Sequence, residues 1–217
     1  MSPDVASLRP QLEQGIAALG LDLPAGSVDA LLSYLELVAK WNRVYNLTAV
    51  REPQEMLTHH LLDSLAIIPA LRRHTGGREV RALDVGSGAG LPGVVLAICC
   101  PELSVDCVDT VAKKAAFIQN VAGALRLPRL RGLHDRVERL KGPYDLICSR
   151  AFASLADFVS WSAGALAPDG AWLAMKGRPS AEEMGALPAG VEVFHVEQVS
   201  VPGLDAQRCI VWMRRCP

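Results

Sequence analysis

Residues 83–93 read LDVGSGAGLPG, with Gly86, Gly88, Gly90 and Gly93 falling inside eight positions. They follow an apolar, β-rich run, VRALDV, and lead into a helical pattern from Leu91. Gly86, Gly88 and Gly90 therefore fall where a first strand turns into its helix. Lacking a Cβ, they let the backbone bend sharply and approach a ligand closely. Gly88, Gly90 and Gly93 also satisfy G-x-G-x-x-G, the dinucleotide fingerprint. Asp84 argues against a pyrophosphate at this turn: a carboxylate there is unfavourable beside phosphate and favourable beside an ammonium group. Pro92 suits the first turn of the helix that follows, where its missing N–H costs nothing.

Nineteen residues beyond Gly90 stands Asp109, which closes the second β-rich run, LSVDCVD. An acid at that place accepts hydrogen bonds from both ribose hydroxyls. Glycine turn, Asp84 and Asp109 together favour a nucleoside that carries an amino acid in place of a phosphate. S-adenosylmethionine is that molecule, and NAD(P) is the competing ligand.

Working outward, the first 75 residues are helical in pattern. Val28, Leu31, Leu32, Leu35 and Val38 recur at the spacing of one buried face, with Ser27 placed as N-cap. A third helical pattern, EMLTHHLLDSLAIIPAL, follows Pro53, and HTGGRE makes a hinge. Beyond it β-rich runs alternate with helical ones: VRALDV, LSVDCVD, RLRGL, YDLICSR, AWLAMK, VEVFHVEQV and QRCIVWMRR. That alternation predicts an α/β fold with a doubly wound, mostly parallel seven-stranded sheet. The last two strands have no long helix between them, so an antiparallel pair is expected at the end. The domain reading is a helical N-terminal extension, 1–75, packed on a ligand-binding core, 76–217.

Composition narrows the class. Half of the 217 residues are hydrophobic, enough for a full core. No basic-then-apolar leader is present, and the longest apolar stretches fall far short of the roughly 20 residues that span a bilayer. A cytoplasmic protein is expected, with no membrane partner. The six cysteines form no C-x-x-C pair and read as reduced core thiols. Net charge is only −1, yet residues 1–63 carry −4 and residues 113–150 carry +6. The basic middle can meet phosphates or form solvated faces.

The segments KWNRVYNLTAV, HLLDSLAI, LDVGSGAGLPG, SRAFASL, MKG and LDAQR, in this order from about Trp41 to Arg208, resemble the glucose-inhibited division protein B family. These are bacterial methyltransferases that modify N7 of a guanine in small-subunit (16S) ribosomal RNA. The resemblance implies a class I methyltransferase (Rossmann-like) fold with a helical N-terminal extension. Its substrate would be small-subunit ribosomal RNA or an assembling small ribosomal subunit; separately, a monomer is expected. It also implies S-adenosyl-L-methionine contacts at Gly86 and Leu91, at Asp109, Thr110 and Val111, at Val137 and Glu138, and at Arg150. HDRVE stands where the family commonly has a glycine and an alanine before the glutamate.

N7 of guanine already offers an in-plane lone pair, so no base need remove a proton, and alignment carries the catalysis. DLICSRAF accordingly lacks the Asn/Asp-Pro-Pro-aromatic tetrad expected for exocyclic amines. Cys148 reads as a strand-core thiol. Arg150 and Lys176, which close strands four and five, are the catalytic candidates: they face the crevice, able to meet guanine O6 or a phosphate. Arg208 stands at the rim. His59 and His60 precede Asp63 closely, and a His–Asp hydrogen bond locking the extension onto the glycine turn is expected; no metal site is. Trp41, Asn42, Tyr45 and Asn46 are candidates for a lid or for core. An NAD(P)-dependent oxidoreductase, a small-molecule methyltransferase and a non-catalytic RNA-binding protein remain open alternatives.

Overall fold

A computed structural model describes residues 5–150, 152 and 154–216. Seven strands form one sheet: β1 (Val80–Val85), β2 (Leu103–Asp109), β3 (Leu130–His134), β4 (Tyr144–Ser149), β5 (Leu166–Lys176), β6 (Val191–Val199) and β7 (Arg208–Arg215). Their order is β3-β2-β1-β4-β5-β7-β6. β1 to β5 pair in parallel, and β7 runs antiparallel to both β5 and β6. The order reverses beside β1, where an open sheet of this kind binds its ligand.

Alternation sorts the strands into two cores. Ile210 and Trp212 of β7 pack on one face, and Cys209, Val211 and Met213 on the other. The first face is covered by the N-terminal helices together with α6 (Gly93–Cys99) and α7 (Ala112–Ala124), the second by α8 (Leu155–Ser162). Cys148 is fully buried within β4. Asp106, inside β2, is a buried acid. Burial works against its ionisation, but hydrogen bonds from Arg131 and Tyr144 and the Arg81 charge outweigh that and hold its pKa below the carboxylate norm.

The extension comprises α1 (Arg9–Ala18), α2 (Ser27–Tyr45), α3 (Pro53–Met56), α4 (Asp63–Leu65) and α5 (Ile68–Thr75). Ser27 is the first residue of α2 rather than its cap. Gly26, at φ 84°, is the N-cap, and the Ser27 hydroxyl donates instead to the Ile98 carbonyl (3.5 Å). Leu31, Leu35 and Val38 lie on the buried face, as their spacing demands. The third helical pattern is not one helix: Leu57–Leu62 winds as a π-helix between α3 and α4. Such wide turns are uncommon and concentrate at functional sites. The expected helix at Leu91 starts at Gly93, after a turn. A short α9 (Ala181–Gly185) separates β5 from β6.

Candidate functional site

The glycine turn is held from three sides. Gly86 and Gly88 take φ of 66° and 59°, a region L side chains rarely adopt, although a Cβ at either would meet open space. The demand there is conformational. At Gly93 it is steric: a Cβ would lie 2.8 Å from Asp84 Oδ2 and closer still to Cys107 Sγ. From the extension, Tyr34, fully buried in α2, donates its hydroxyl to the Ala89 carbonyl at 2.8 Å.

Asp84 does not project into the turn as its position in sequence suggests. It is fully buried, and its Oδ2 accepts from the Gly93 N–H at 2.9 Å. Its Oδ1 has no partner among the described residues. Burial raises its pKa to about 7, against the lowering influence of the Gly93 N–H and Arg150. In this structure Asp84 ties the helix start to β1 from beneath the turn.

A cleft of about 390 Å³ opens at the carboxyl ends of β1, β2 and β3. Gly86, Asp109, Thr110, Val111, Val137 and Glu138 all line it, as expected. Asp84, Gly88, Gly90 and Leu91 do not, although Gly88 acts on it through Asp109. The Asp109 carboxylate accepts from Gly88 N–H (3.0 Å) and from Val111 N–H (2.9 Å), one bond per oxygen, with Lys114 Nζ at 3.8 Å. Each oxygen keeps a lone pair for a further donor. Val85, Val108 and Val137 supply apolar walls, and so do Phe152 and Trp161, whose rings meet edge-on at 5.4 Å. Sequence reasoning missed both aromatics, because no motif or spacing marks them. A volume within the usual range for small-molecule sites, a pre-aimed carboxylate and aromatic walls fit an adenosine-bearing ligand.

Arg150 lines a second cleft, of about 370 Å³, with His59, Asp63, Lys176 and Arg208. Its carboxylate partner is Asp63. Arg150 Nη1 donates to the His59 carbonyl in the π-helix (2.7 Å) and to Asp63 Oδ2 (3.3 Å). Arg208 Nε donates to Asp63 Oδ1 at 2.9 Å. Asp63 is thus bonded to two arginines, and the expected His–Asp lock onto the glycine turn is replaced by this bridge. His60 instead pairs through Nε2 with Thr48 Oγ1 at 2.9 Å. Burial, and then the Arg150 charge, lower its pKa to about 4. Lys176 Nζ donates to Glu183 Oε1 (2.7 Å) and to the Phe152 carbonyl (3.3 Å), which joins the two clefts. Asn42 is structural, donating to the Val50 carbonyl and accepting from Thr48 N–H. Trp41 packs on Tyr45 and Phe117, and Asn46 caps α2 in a left-handed turn.

A parallel sheet in this order, closed by an antiparallel strand and carrying this glycine turn and acid, defines a class I S-adenosylmethionine-dependent methyltransferase. Solved structures share the fold. TrmN from Thermus thermophilus superposes with a TM-score of 0.57 at 22% identity, over 74% of this chain and 53% of that one. A mutant of MtNAS in complex with S-adenosylmethionine gives 0.59 at 15% identity, over 99% and 93%. The family model described as rRNA small subunit methyltransferase G (GidB) matches residues 27–211, and the chain belongs to that family. The Ribosomal RNA small subunit methyltransferase G of Acidovorax ebreus (strain TPSY) is 62% identical, with 96% of each chain covered. That of Polaromonas naphthalenivorans (strain CJ2) is 62% identical over 99% of each. The cofactor of this enzyme is accordingly S-adenosylmethionine, and the oxidoreductase alternative falls.

Proposed function

We propose that this protein methylates N7 of a guanine in small-subunit (16S) ribosomal RNA, working in the cytoplasm as a monomer on ribosomal RNA or an assembling small subunit. The carrying observation is the junction of the two clefts: Phe152 lines the first, and its carbonyl accepts from Lys176 of the second. When bound in the first cleft, S-adenosylmethionine supplies an electrophilic methyl group on a sulfonium. Asp109 would hold the ribose hydroxyls there, and the backbone of Gly86, Thr110, Val111, Val137 and Glu138 would surround the nucleoside. Asp84, Gly88, Gly90 and Leu91 keep the turn in shape.

Arg150 and Lys176 act on the target. The Arg150 guanidinium donates to the O6 edge of the base or to its phosphate, and Lys176 serves as a point charge. Neither is asked to move a proton. The acid beside them, Asp63, has each oxygen engaged by an arginine, and a nucleophile that carries its lone pair already asks no base of it. Catalysis then rests on placing N7 in line with the methyl group. No helix among the described residues is long and apolar enough to cross a membrane.

The test is nucleoside mass mapping of small-subunit RNA from cells with and without the protein. One 7-methylguanosine should disappear in its absence and return on incubation with the purified enzyme and labelled donor. An unchanged map would refute the reading.

A further inference from the structure

We infer that the second cleft is a built anion site that takes one backbone phosphodiester of the RNA between Arg208 and Lys176, with Asp63 as the positioning residue. This rests on the RNA reading above and adds to it the group recognised and the element that aims the recognition.

The first ground is charge. Arg150, Lys176 and Arg208 converge on a cleft lined by Asp63, while Glu183 pairs with Lys176 at 2.7 Å, so three cations meet two carboxylates. The Asp63 carboxylate, its side chain only 5% exposed, is shared between two guanidiniums. A tie between the extension and the sheet needs only one arginine; a second brings like charges together around the same carboxylate. A further anion relieves that repulsion, and a partly enclosed cleft focuses its field on such a ligand.

The second ground is donor supply. Arg208 gives its Nε–H to Asp63 and one Nη1–H to the Gln207 carbonyl. A guanidinium carries five N–H donors, so three remain over among the described residues, on a side chain that is 27% exposed at the cleft. Fixed along one edge by a buried acid, it presents its outer nitrogens in the forked arrangement that matches phosphate.

The third ground is place. Arg208 opens β7, Lys176 closes β5, and Cys209 pairs with Lys176. Both cations therefore stand at the carboxyl edge of the sheet, where the donor cleft also opens. A phosphodiester held there belongs to the target nucleotide or its neighbour. Asp63 meets them at this edge, and the π-helix before it presents the His59 carbonyl to the same Arg150 that Asp63 binds.

Binding of fluorescently labelled single-stranded RNA across roughly 50–200 mM salt tests this, since each phosphate neutralised contributes a slope of about 0.7 to 1 in log K against log salt. Arg208→Gln should lower the slope by about that amount equally for oligonucleotides of different sequence, and raise the KM for ribosomal RNA about tenfold. Donor affinity should stay unchanged. Arg208→Lys, which keeps the charge, should restore the slope. Asp63→Asn should keep the slope, because all three cations remain, yet lower kcat as the guanidiniums lose their aim. An Arg208→Gln slope equal to wild type would overturn the inference and leave a structural ion pair. So would a loss that follows base sequence, which would assign Arg208 to a base edge. Failure of the methylation reading shows separately, as wild-type protein that transfers no label to ribosomal RNA.

Discussion

Asp84 and His60 carry opposite pH dependences that nearly offset each other in the intact protein, so removing one should unmask the other. Asp84 is raised from 3.8 to about 7 by burial, and His60 is lowered from 6.5 to about 4 by burial and then Arg150. An acid with a raised pKa holds more proton folded than unfolded. Its contribution is complete below about pH 4 and is lost as pH climbs to about 7. About three units at 1.36 kcal/mol each make this roughly 4 kcal/mol. His60 behaves conversely: its folded form resists protonation, so stability present above pH 6.5 is lost as pH falls toward about 4, by roughly 3 kcal/mol. Between those limits the slopes oppose.

Asp84→Asn keeps the shape and an oxygen for the Gly93 N–H but removes the titration. Urea unfolding of both proteins, followed at intervals from about pH 4 to pH 8, reads the difference, and groups common to both cancel in it. The variant should lose roughly 3 kcal/mol on acidification below about pH 6.5, while the wild type changes much less. Relative to wild type the variant should gain steadily as pH rises toward about 7. A difference curve flat to within about 1 kcal/mol over the whole range would refute the burial argument for Asp84.

Three further outcomes are expected. Asp109→Ala removes the acceptor shared by Gly88 and Val111 and proposed for the ribose hydroxyls, and should weaken S-adenosylhomocysteine binding on the order of 100-fold by calorimetry, as charged hydrogen bonds at about 1.5–3 kcal/mol imply. Gly93→Ala drives a methyl group onto Cys107 Sγ and Asp84 Oδ2 and should cost about 1–3 kcal/mol in chemical denaturation, part of it recovered by adding Cys107→Ala. Trp161, 47% exposed at the wall of the donor cleft, should report S-adenosylhomocysteine through its fluorescence; a titration signal that survives Trp161→Phe would remove it from the site.

What the sequence made legible is what short-range pattern controls. β1, β2 and β6 fall on the very runs VRALDV, LSVDCVD and VEVFHVEQV, because each alternates or stays apolar over its whole length. Asp109 could be placed because a strand end and a glycine turn fix its position relative to each other. The glycine turn was legible in its residues but not in its forces: nothing in LDVGSGAGLPG tells that Asp84 lies under the turn and not in it. The Asp63 bridge was not legible at all, since its partners stand 87 and 145 residues away and only the folded sheet brings them together. The π-helix stayed hidden because EMLTHHLLDSL reads as an ordinary amphipathic helix, the widened turn being selected by tertiary partners of His59 and Asp63.

The break in texture near residue 75 is a boundary of pattern and not of core. Leu31, Leu35, Leu61 and Leu65 from the N-terminal helices share one buried cluster with Val94, Phe117, Ile210 and Trp212 from the sheet side. Both clefts depend on that shared core through single side chains: Tyr34 holds Ala89 of the glycine turn, and Asp63 holds the arginines from β7 and from the end of β4. Every residue assigned to donor or target chemistry lies after residue 75 except the one that aims the guanidiniums. The helices before the sheet therefore fix the two clefts relative to each other, and in the proposed reaction, with no proton to remove, placement is what the protein has to supply.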